Sequence, residues 1–539
     1  MRTPVVPTPR PTPVGQAPDL GSFWCLWITQ FQGAFSDNLH KFLVLYLALG
    51  MGLSPAQEKA FVPLVNALFA MPFLLFSMVG GWLADRFSKR SVCLGVKVAE
   101  VGIMLLATAA LGWLSVPLML LAVFLMSTQS ALFGPTKYGL MPELLPESRL
   151  SWGNGLLSLG TFLAIILGTV AAGGLMELWG NSQGASGCIL VGLALVGTLA
   201  SLGIRRLPPA DPQRPLQWNP WSEFVRQWRG VRTDRTLLTC VLAVSYLWFL
   251  AALLQPALIF YTRDVLGGTA WHTSLLQASL AIGIGLGSLA AGFLSGRRIE
   301  PALVPVGALG LAVFGAVLGT SQLAFAAAVM WVGLLGFAGG MYVVPLNALL
   351  QARPAPERRG GVLAVSALLN WAGIVTAGGP LYYLLSAGLD LSPQGIFLTG
   401  AGLSLAGLAA FVWAMPESLI RLAEKILIHT LHPIHVIGRA HVPTVGGALL
   451  AANHQSLVDW LLLRAALDRP IRFLMYRGHY DRPMLKFWAR AMGVIPIARS
   501  LGPRALQASL SQAREAIRAG ELVCIFPEGE MTRTGLLLP

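Results

Sequence analysis

The chain has 539 residues, of which 55% are hydrophobic and only 12% are charged, and its formal net charge is +14. Soluble globular proteins carry about a quarter of charged residues, so this composition excludes an ordinary soluble protein and indicates a multi-pass membrane protein with a smaller soluble part. The basic residues lie mostly in short loops between apolar stretches, where lipid and topology account for them, so we expect no nucleic-acid partner. The five cysteines are scattered, which supports neither a metal site nor a disulfide framework.

Twelve apolar spans follow a proline-rich tail, residues 1–20, that has no signal-peptide cleavage pattern. Each span of about 20 residues is long enough to cross about 30 Å of hydrocarbon as a helix. We predict them near 23–49, 60–83, 92–112, 116–137, 152–178, 186–204, 237–261, 271–296, 301–319, 322–350, 361–386 and 393–415. The polar stretch 205–235 separates two sets of six, which predicts one helical bundle over 21–204 and another over 236–415.

The distribution of basic residues predicts the orientation in the membrane. Lysine and arginine concentrate in the loops after even-numbered spans, whereas the loops after odd-numbered spans carry only Lys59 and Arg263. By the positive-inside rule, both termini and the even loops are cytoplasmic. Tryptophan and arginine at helical spacing over 218–232 predict an amphipathic helix on the inner leaflet, and 419–428 repeats that pattern after the last span.

The loop after the second span carries a recognisable motif. Residues 81–90 read Gly-Trp-Leu-Ala-Asp-Arg-Phe-Ser-Lys-Arg, and a degenerate echo occupies 292–298 in the second half. The motif resembles the signature of the major facilitator superfamily, which implies a twelve-helix fold of two six-helix pseudo-repeats. Asp85 and Arg86 would then latch the two halves on the cytoplasmic side; the alternative is an ordinary positive-inside loop.

Charged residues inside the first span indicate a transport path. Asp37, Asn38 and Lys41 lie in an otherwise apolar stretch, where an ionisable group costs a few kcal/mol to bury. One interpretation is that Asp37 and Lys41, four residues apart, only neutralise one another. The other is a cavity site in which Asp37 changes partners between Lys41 and cations of other spans, such as Lys137 or Arg263. Lys97 and Glu100, in the third span, are expected to be neighbours near a helix end, within reach of the headgroups.

Two further stretches are similar to the bacterial lysophospholipid transporters of that superfamily. They are 133–146, Phe-Gly-Pro-Thr-Lys-Tyr-Gly-Leu-Met-Pro-Glu-Leu-Leu-Pro, with Asn-Gly at 154–155, and Ser-Asp-Asn at 36–38. The resemblance implies that the membrane part carries lysophospholipid from the outer to the inner leaflet of a bacterial plasma membrane.

A general-base pattern lies near the C-terminal end of the chain. An apolar run over 447–452 predicts a buried strand, and His454 follows it, with Asp459 five positions later. His454 can take a proton from a hydroxyl group while Asp459 fixes the tautomer and stabilises the imidazolium.

Two more motifs follow in order: Gly-Val-Ile-Pro-Ile-Ala-Arg over 493–499, and Phe-Pro-Glu-Gly over 526–529. With Asn-His-x4-Asp at 453–459 they resemble the glycerolipid acyltransferases, which implies acyl transfer from a thioester to a lysophospholipid hydroxyl. His454 and Asp459 would be catalytic. The family's substrate-binding positions correspond to Asn453, Gly493, Pro496, Arg499, Glu528, Gly529 and Thr532, and Arg499 suits a phosphate because its guanidinium bonds two oxygens. Met531 stands where the family has an arginine, and Arg533 follows.

The sequence therefore predicts a mainly α, polytopic twelve-helix facilitator fold followed by a partial cytoplasmic α/β acyltransferase domain over 416–539. The chain ends at Pro539, before a last family motif, so we expect that domain to be incomplete. The resemblance to a known fusion of transporter and 2-acylglycerophosphoethanolamine acyltransferase implies no bound cofactor, and an acyl thioester of acyl carrier protein or CoA as co-substrate. Acyl carrier protein, lysophospholipid and membrane lipids are the implied partners.

Three other interpretations stay open. The membrane part could export another amphiphile beside an independent lysophosphatidate-type acyltransferase, the helices could only anchor an enzyme, or the chain could be a transporter with an inactive enzyme domain. His429, His432 and His435 are grouped, but Pro433 interrupts them and no cysteine or carboxylate completes a set, so we expect no metal.

Overall fold

A computed structural model describes residues 19–180, 182–209, 211–213, 220–295, 299–416, 435–467, 469–498, 502–529 and 531–532. Several sequence predictions fall outside these ranges. They are most of the N-terminal tail, the loop 296–298, the helix 419–428, Arg499 and Arg533.

Six long helices form the first half of the membrane region. They are α1 (Leu20–Gly50), α2 (Pro55–Arg86), α3 (Lys89–Gly112), α4 (Val116–Leu144), α5 (Glu147–Trp179) and α6 (Gly184–Leu202). Side chains set their starts: Asp19 accepts a hydrogen bond from the Ser22 N–H at α1, and Ser54 and Gln57 form a capping box at α2. In this half, α1 packs mainly on α5 and α6, α2 on α4, and α3 on α6 and α4.

A linker helix and six more long helices form the rest of the membrane region. The helices are α7 (Pro220–Thr233), α8 (Arg235–Phe260), α9 (Ala270–Ser295), α10 (Leu303–Thr320), α11 (Phe325–Ala352), α12 (Pro356–Thr376) and α13 (Pro393–Ala414). Wider π-helical turns extend α8 over Tyr261–Val265 and α12 over Ala377–Leu381 and Leu384–Gly388. The predicted linker helix is α7, which packs on α8 and α12.

Eleven of the described helices are long and apolar enough to cross a membrane, and α1 is not among them. Polar residues such as Gln30, Gln32 and Asp37 lower its hydropathy. These polar side chains are nevertheless buried, as are Leu39 and Leu43, and α1 packs on α4, α5 and α6. Because a polar helix inside a membrane bundle must face protein or a cavity, α1 is the twelfth membrane helix. The mainly helical, multi-pass fold predicted from the sequence is confirmed.

Close glycine contacts hold α9 against α11. A Cβ at Gly287 would lie 2.0 Å from the Phe337 carbonyl oxygen, and one at Gly336 would lie 2.1 Å from that of Leu280. Each helix therefore presents its backbone to the other, which is how membrane helices gain packing where no hydrophobic effect drives their association.

The C-terminal unit is a small α/β domain. Its elements are β1 (Ala448–Ala451), α14 (Asp459–Ala466), β2 (Ile471–Tyr476), α15 (Arg477–Tyr480), α16 (Pro483–Ala491), β3 (Ile495–Ile497), α17 (Pro503–Arg518) and β4 (Leu522–Ile525). The four strands are parallel, in the order β1-β4-β2-β3. Ile471, Phe473 and Leu522 form the core on one side of the sheet, and Ile495, Ala516 and Val523 on the other. Ligands of such sheets bind outside the carboxyl ends of the strands.

Candidate functional site

His454 lies at the carboxyl edge of the sheet. It follows β1 after a short loop, and because Ala451 pairs with Ile525 of β4, the segment after β4 starts beside it. The imidazole stacks on the Phe526 ring, with centroids 4.3 Å apart. The sheet topology therefore places the predicted base beside the Phe-Pro-Glu-Gly segment, from which it is separated by more than 70 residues of sequence.

Asp459 orients the imidazole. Its Oδ2 atom lies 2.9 Å from Nδ1 of His454 and also accepts the backbone N–H groups of Gln455 (2.7 Å) and Ser456 (2.8 Å). Asp459 is the first residue of α14, so the carboxylate sits where a helix N-terminus favours negative charge. A carboxylate on Nδ1 places the proton there and leaves Nε2 as the basic nitrogen, which is the arrangement general-base chemistry requires.

The segment after β4 holds the backbone of the histidine loop. Glu528 accepts the N–H of His454 at Oε2 (2.9 Å), and the N–H of Thr532 donates to the carbonyl of His454 (2.8 Å). Gly529 adopts φ +72°, a left-handed conformation that favours glycine and turns the chain back toward the loop. Glu528 and Thr532 were predicted as substrate ligands. In the structure both also fix His454, a role that the sequence pattern did not indicate.

The second carboxylate oxygen of Glu528 has no partner among the residues that the structure describes. This atom, Oε1, is buried and accepts no hydrogen bond from the described residues. A buried carboxylate oxygen without a donor is costly, so it is suited to a hydroxyl supplied by a ligand.

The Gly-Val-Ile-Pro-Ile-Ala-Arg motif reaches the same edge through β3. Gly493 adopts φ +65° just before that strand, and a Cβ there would lie 3.0 Å from Nε of Arg472. Pro496, within β3, accepts a hydrogen bond from the Ser509 hydroxyl at its carbonyl (2.7 Å). Asn453 is exposed beside His454. Arg499 lies outside the described residues, two positions beyond the end of β3.

The domain offers no competing cysteine nucleophile or metal centre among its described residues. Cys524 is buried in β4, and burial raises the pKa of its thiol to about 11, so it stays protonated at neutral pH. No group of three or more His, Cys, Asp or Glu side chains in the described part of the chain could hold a metal ion. His429 and His432 lie outside that part.

Asp37 and Lys41 do not pair with each other in the structure. Asp37 accepts a hydrogen bond from the Ser130 hydroxyl of α4 (2.6 Å), and its other oxygen is buried without a described partner. Lys41 instead donates to Gln255 of α8 (3.3 Å) and lies 4.7 Å from the centroid of the Phe69 ring. In this conformation, Asp37 and Lys41 therefore do not simply neutralise each other within α1. Lys41 reaches from the first half to the second.

The other predicted transport residues are spread along the bundle. Asn38 donates to the carbonyl of Ala34 within α1 (2.8 Å). Lys137 lies 5.0 Å from the Tyr138 ring centroid. Arg263 is not near Asp37. It bonds Glu58 (2.7 Å) beyond the end of α8, whereas Asp37 lies thirteen residues before the end of α1, about 20 Å along the helix axis.

The expectation for Lys97 and Glu100 was wrong. They are 1% and 0% exposed and form an ion pair of 2.7 Å inside the first half, rather than reaching the headgroup region. Gln32 of α1 joins the pair, accepting from Lys97 (2.9 Å) and donating to Glu100 (2.8 Å). A buried charge requires such full pairing. The sequence did not indicate that Gln32, from another helix, would join the pair.

The predicted latch segment lies between α2 and α3. The carbonyl of Asp85 accepts the N–H of Asp211 from the linker (2.8 Å), and the guanidinium of Arg86 lies 5.3 Å from the Trp82 ring centroid. The segment therefore contacts the linker between the halves.

Comparison with known proteins agrees with this two-part construction. Residues 26–378 match the Major Facilitator Superfamily profile, and residues 433–539 match the Acyltransferase profile. The lysophospholipid transporter LplT of Escherichia coli is 31% identical over 397 residues, which cover 72% of this chain and 94% of that protein. LplT of Klebsiella pneumoniae is 31% identical over 395 residues, covering 71% and 94%.

Solved structures show the same membrane fold. A POT family transporter in complex with a thioalcohol-conjugated peptide superposes with a TM-score of 0.59 at 13% identity, covering 74% of this chain and 96% of the other. The nucleoside transporter NupG gives a TM-score of 0.58 at 14% identity, covering 73% and 99%.

Proposed function

The chain belongs to the major facilitator superfamily and, within it, to the lysophospholipid transporter family, and we propose that it imports lysophospholipid and re-acylates it. The membrane part carries the lipid from the outer to the inner leaflet of a bacterial plasma membrane. The C-terminal domain then adds a second acyl chain. The observation that carries this proposal is the His454–Asp459 dyad, assembled in an acyltransferase-type domain on the same chain as the transporter.

Both termini are cytoplasmic in this proposal, in line with the positive-inside distribution of lysine and arginine. The enzyme site then meets the lipid on the side where it arrives. Leu457, 71% exposed three residues after His454, gives the catalytic loop an apolar contact for the bilayer or an acyl chain. Tethering also raises the effective concentration of the transported lipid at the second site.

Transfer proceeds by general-base catalysis. Nε2 of His454 takes the proton of the lysolipid hydroxyl as its oxygen attacks the thioester carbonyl. The C–S bond then breaks, and the imidazolium returns the proton to the leaving thiolate. Arg499 and the Glu528–Gly529 turn hold the glycerol phosphate. The donor is an acyl thioester of acyl carrier protein or CoA.

The transport path runs along the polar side of α1. Asp37 and Lys41 contact α4 and α8, and Asn38 follows Asp37 on α1. Lys137 of α4 supplies a further cation to this path. The phosphate of the lipid competes for the cations as the halves rock, and Asp85 and Arg86 latch the cytoplasmic side. Arg263 acts at the opposite end.

Reconstitution of the full chain in liposomes tests both halves of this proposal. Labelled lysophosphatidylethanolamine is added outside, and acyl carrier protein thioester is enclosed inside. Inward movement and conversion to the diacyl lipid are followed separately.

We expect His454→Ala to abolish conversion while inward movement continues, and Asp37→Asn to stop inward movement while lipid supplied on the thioester side is still acylated. Movement without any conversion by the unaltered chain would refute the enzymatic half. Conversion without movement would refute the transport half.

A further inference from the structure

A small cavity lies at the end of the bundle where the loops after α1, α8 and α12 meet. Its volume is about 110 Å³. Two charged residues of α2, Glu58 and Lys59, line it from the first half, and Arg263 and Asp264 line it from the second. This end is remote from Asp37, so the cavity is separate from the cluster of Asp37 and Lys41 inside the bundle.

Two ion pairs cross between the halves at this cavity. Arg263 bonds Glu58 at 2.7 Å, and Lys59 bonds Asp390 at 2.5 Å. Arg263 also contacts Asp264 at 2.6 Å, so each positive group already has a carboxylate partner. Among the charged residues that line the cavity, two cations, Lys59 and Arg263, stand beside two carboxylates, Glu58 and Asp264, which suits a ligand that carries both signs of charge.

A hydroxyl group and two aromatic rings complete the lining. The hydroxyl of Ser386 is buried and has no hydrogen-bond partner among the described residues, although its residue faces the cavity. Phe260 and Tyr382 stack with ring centroids 6.4 Å apart. A buried hydroxyl left without a partner marks a place where a ligand atom can supply one, and aromatic faces beside carboxylates attract an ammonium group.

We propose that this cavity is an entry site for the headgroup of a lysophospholipid that carries a primary amine and a phosphate, at the outer end of the transporter. The phosphate takes the cations Arg263 and Lys59 and the Ser386 hydroxyl. The ammonium takes Glu58 and the aromatic faces. Because the headgroup exchanges with both ion pairs at once, its binding releases the contact between the halves. The buried Glu58 keeps a cationic partner, and Asp390, which is 85% exposed, is solvated by water. This site deepens the proposed lysolipid transport and rests on it.

The size of the cavity sets what can enter. Sites that enclose a whole drug-sized ligand occupy roughly 300–1,000 Å³. A cavity of about 110 Å³ holds a headgroup and leaves the acyl chain in the bilayer. A headgroup with a phosphate but no amine would displace Glu58 from Arg263 and leave that carboxylate, which is nearly buried, without a cation.

Binding to the full chain in nanodiscs tests the site without requiring transport. The probes are lysophosphatidylethanolamine, its N-acetyl derivative, which lacks the positive charge, and soluble phosphoethanolamine. We expect the unmodified lipid to bind about tenfold more tightly than the N-acetyl lipid, a difference of about 1.4 kcal/mol, and phosphoethanolamine to bind more weakly than either.

The variants separate headgroup recognition from loosening of the ion pairs. Glu58→Gln should bring the affinity ratio of the two lipids close to one, whereas a loosened contact alone would change both affinities equally. Ser386→Ala should weaken both lipids, because both carry the phosphate. Glu177→Gln is the matched control, since Glu177 is an exposed carboxylate that bonds Thr269 of the other half and does not line the cavity. It should keep the full ratio.

A ratio near one in the unaltered chain, or an unchanged ratio in Glu58→Gln, would overturn the site. So would phosphoethanolamine binding as tightly as the lipid, because the ligand would then be a soluble compound. If the chain binds with the expected ratio but carries no lysolipid in liposomes, the proposed transport fails and the site stands. If the chain transports both lipids but binds them with an affinity ratio near one, the proposed transport stands and the site fails.

Discussion

Replacing Asp459 with asparagine isolates the electrostatic part of the dyad. The asparagine carbonyl can occupy the Oδ2 position and still accept from His454 and from the N–H groups of Gln455 and Ser456, so the loop geometry is kept. What is lost is the negative charge that faces the imidazolium formed in the transition state.

The size of the expected loss follows from the distance between His454 and Asp459. Two unit charges 2.9 Å apart attract by roughly 6 kcal/mol at an effective dielectric constant of about 20. The side chains of His454 and Asp459 are 23% and 15% exposed, so solvent screens part of this attraction, and we take about half, roughly 3 kcal/mol. Because about 1.4 kcal/mol is tenfold in rate, kcat for acyl transfer should fall by about a hundredfold, with little change in KM.

The assay is acyl transfer from thioester to lysophosphatidylethanolamine by the full chain. Asp481→Asn is the control, since Asp481 is a carboxylate of the same domain that pairs with Lys486 (3.1 Å) and Arg477 (3.3 Å) at the surface. Hydrogen bonds from Lys486 and, next, from Arg477 lower the pKa of Asp481. Such exposed ion pairs contribute little to stability, so the control variant should keep its kcat. A loss below fivefold in Asp459→Asn would refute the charge argument.

Three further outcomes follow from packing and burial. In Gly287→Val, even the Cβ would lie 2.0 Å from a carbonyl oxygen of α11, so α9 and α11 must separate. The variant should lose about 3 kcal/mol of stability, measured by thermal unfolding in detergent. Glu100→Gln leaves the buried Lys97 ammonium without its counter-charge and should cost about 3–5 kcal/mol in the same measurement. Cys524 should react with a maleimide at pH 8 only after unfolding, because a thiol of pKa about 11 is ionised to about one part in a thousand there and is also buried.

Matched positions provide the controls for these three. Gly285→Val lies on the same helix with open space around its Cβ position, so equal destabilisation by both valines would contradict the contact argument. Glu177→Gln removes an exposed carboxylate, and a loss as large as that of Glu100→Gln would show that burial is not the cause. The unfolded chain is the positive control, and labelling of Cys524 in the folded chain as fast as after unfolding would contradict its burial.

Local pattern was enough to predict most of the architecture. A membrane helix needs about 20 apolar residues in a row, so hydropathy alone locates nearly every span. The contact between His454 and Asp459 was also predictable, since the two residues are only five positions apart and the short loop between β1 and α14 brings them together.

Contacts between distant segments could not be predicted in the same way. Gln32 joins Lys97 and Glu100 from another helix, and no property of a single glutamine indicates that partner. Lys59 and Asp390 pair across 331 positions of sequence. Each of these residues is locally compatible with several environments, and only the packing of the helices selects one.

The spatial neighbour of the first strand of the enzyme domain is the last strand. Since β4 lies between β1 and β2, and the chain after it supplies Glu528 and Thr532 to the histidine loop, His454 gains its support only when residues 522–532 have been synthesised. On a ribosome that adds about 5–20 residues per second, every membrane helix has left the exit tunnel well before then. The order of synthesis thus completes the proposed acyl-transfer site only after every described membrane helix has been made.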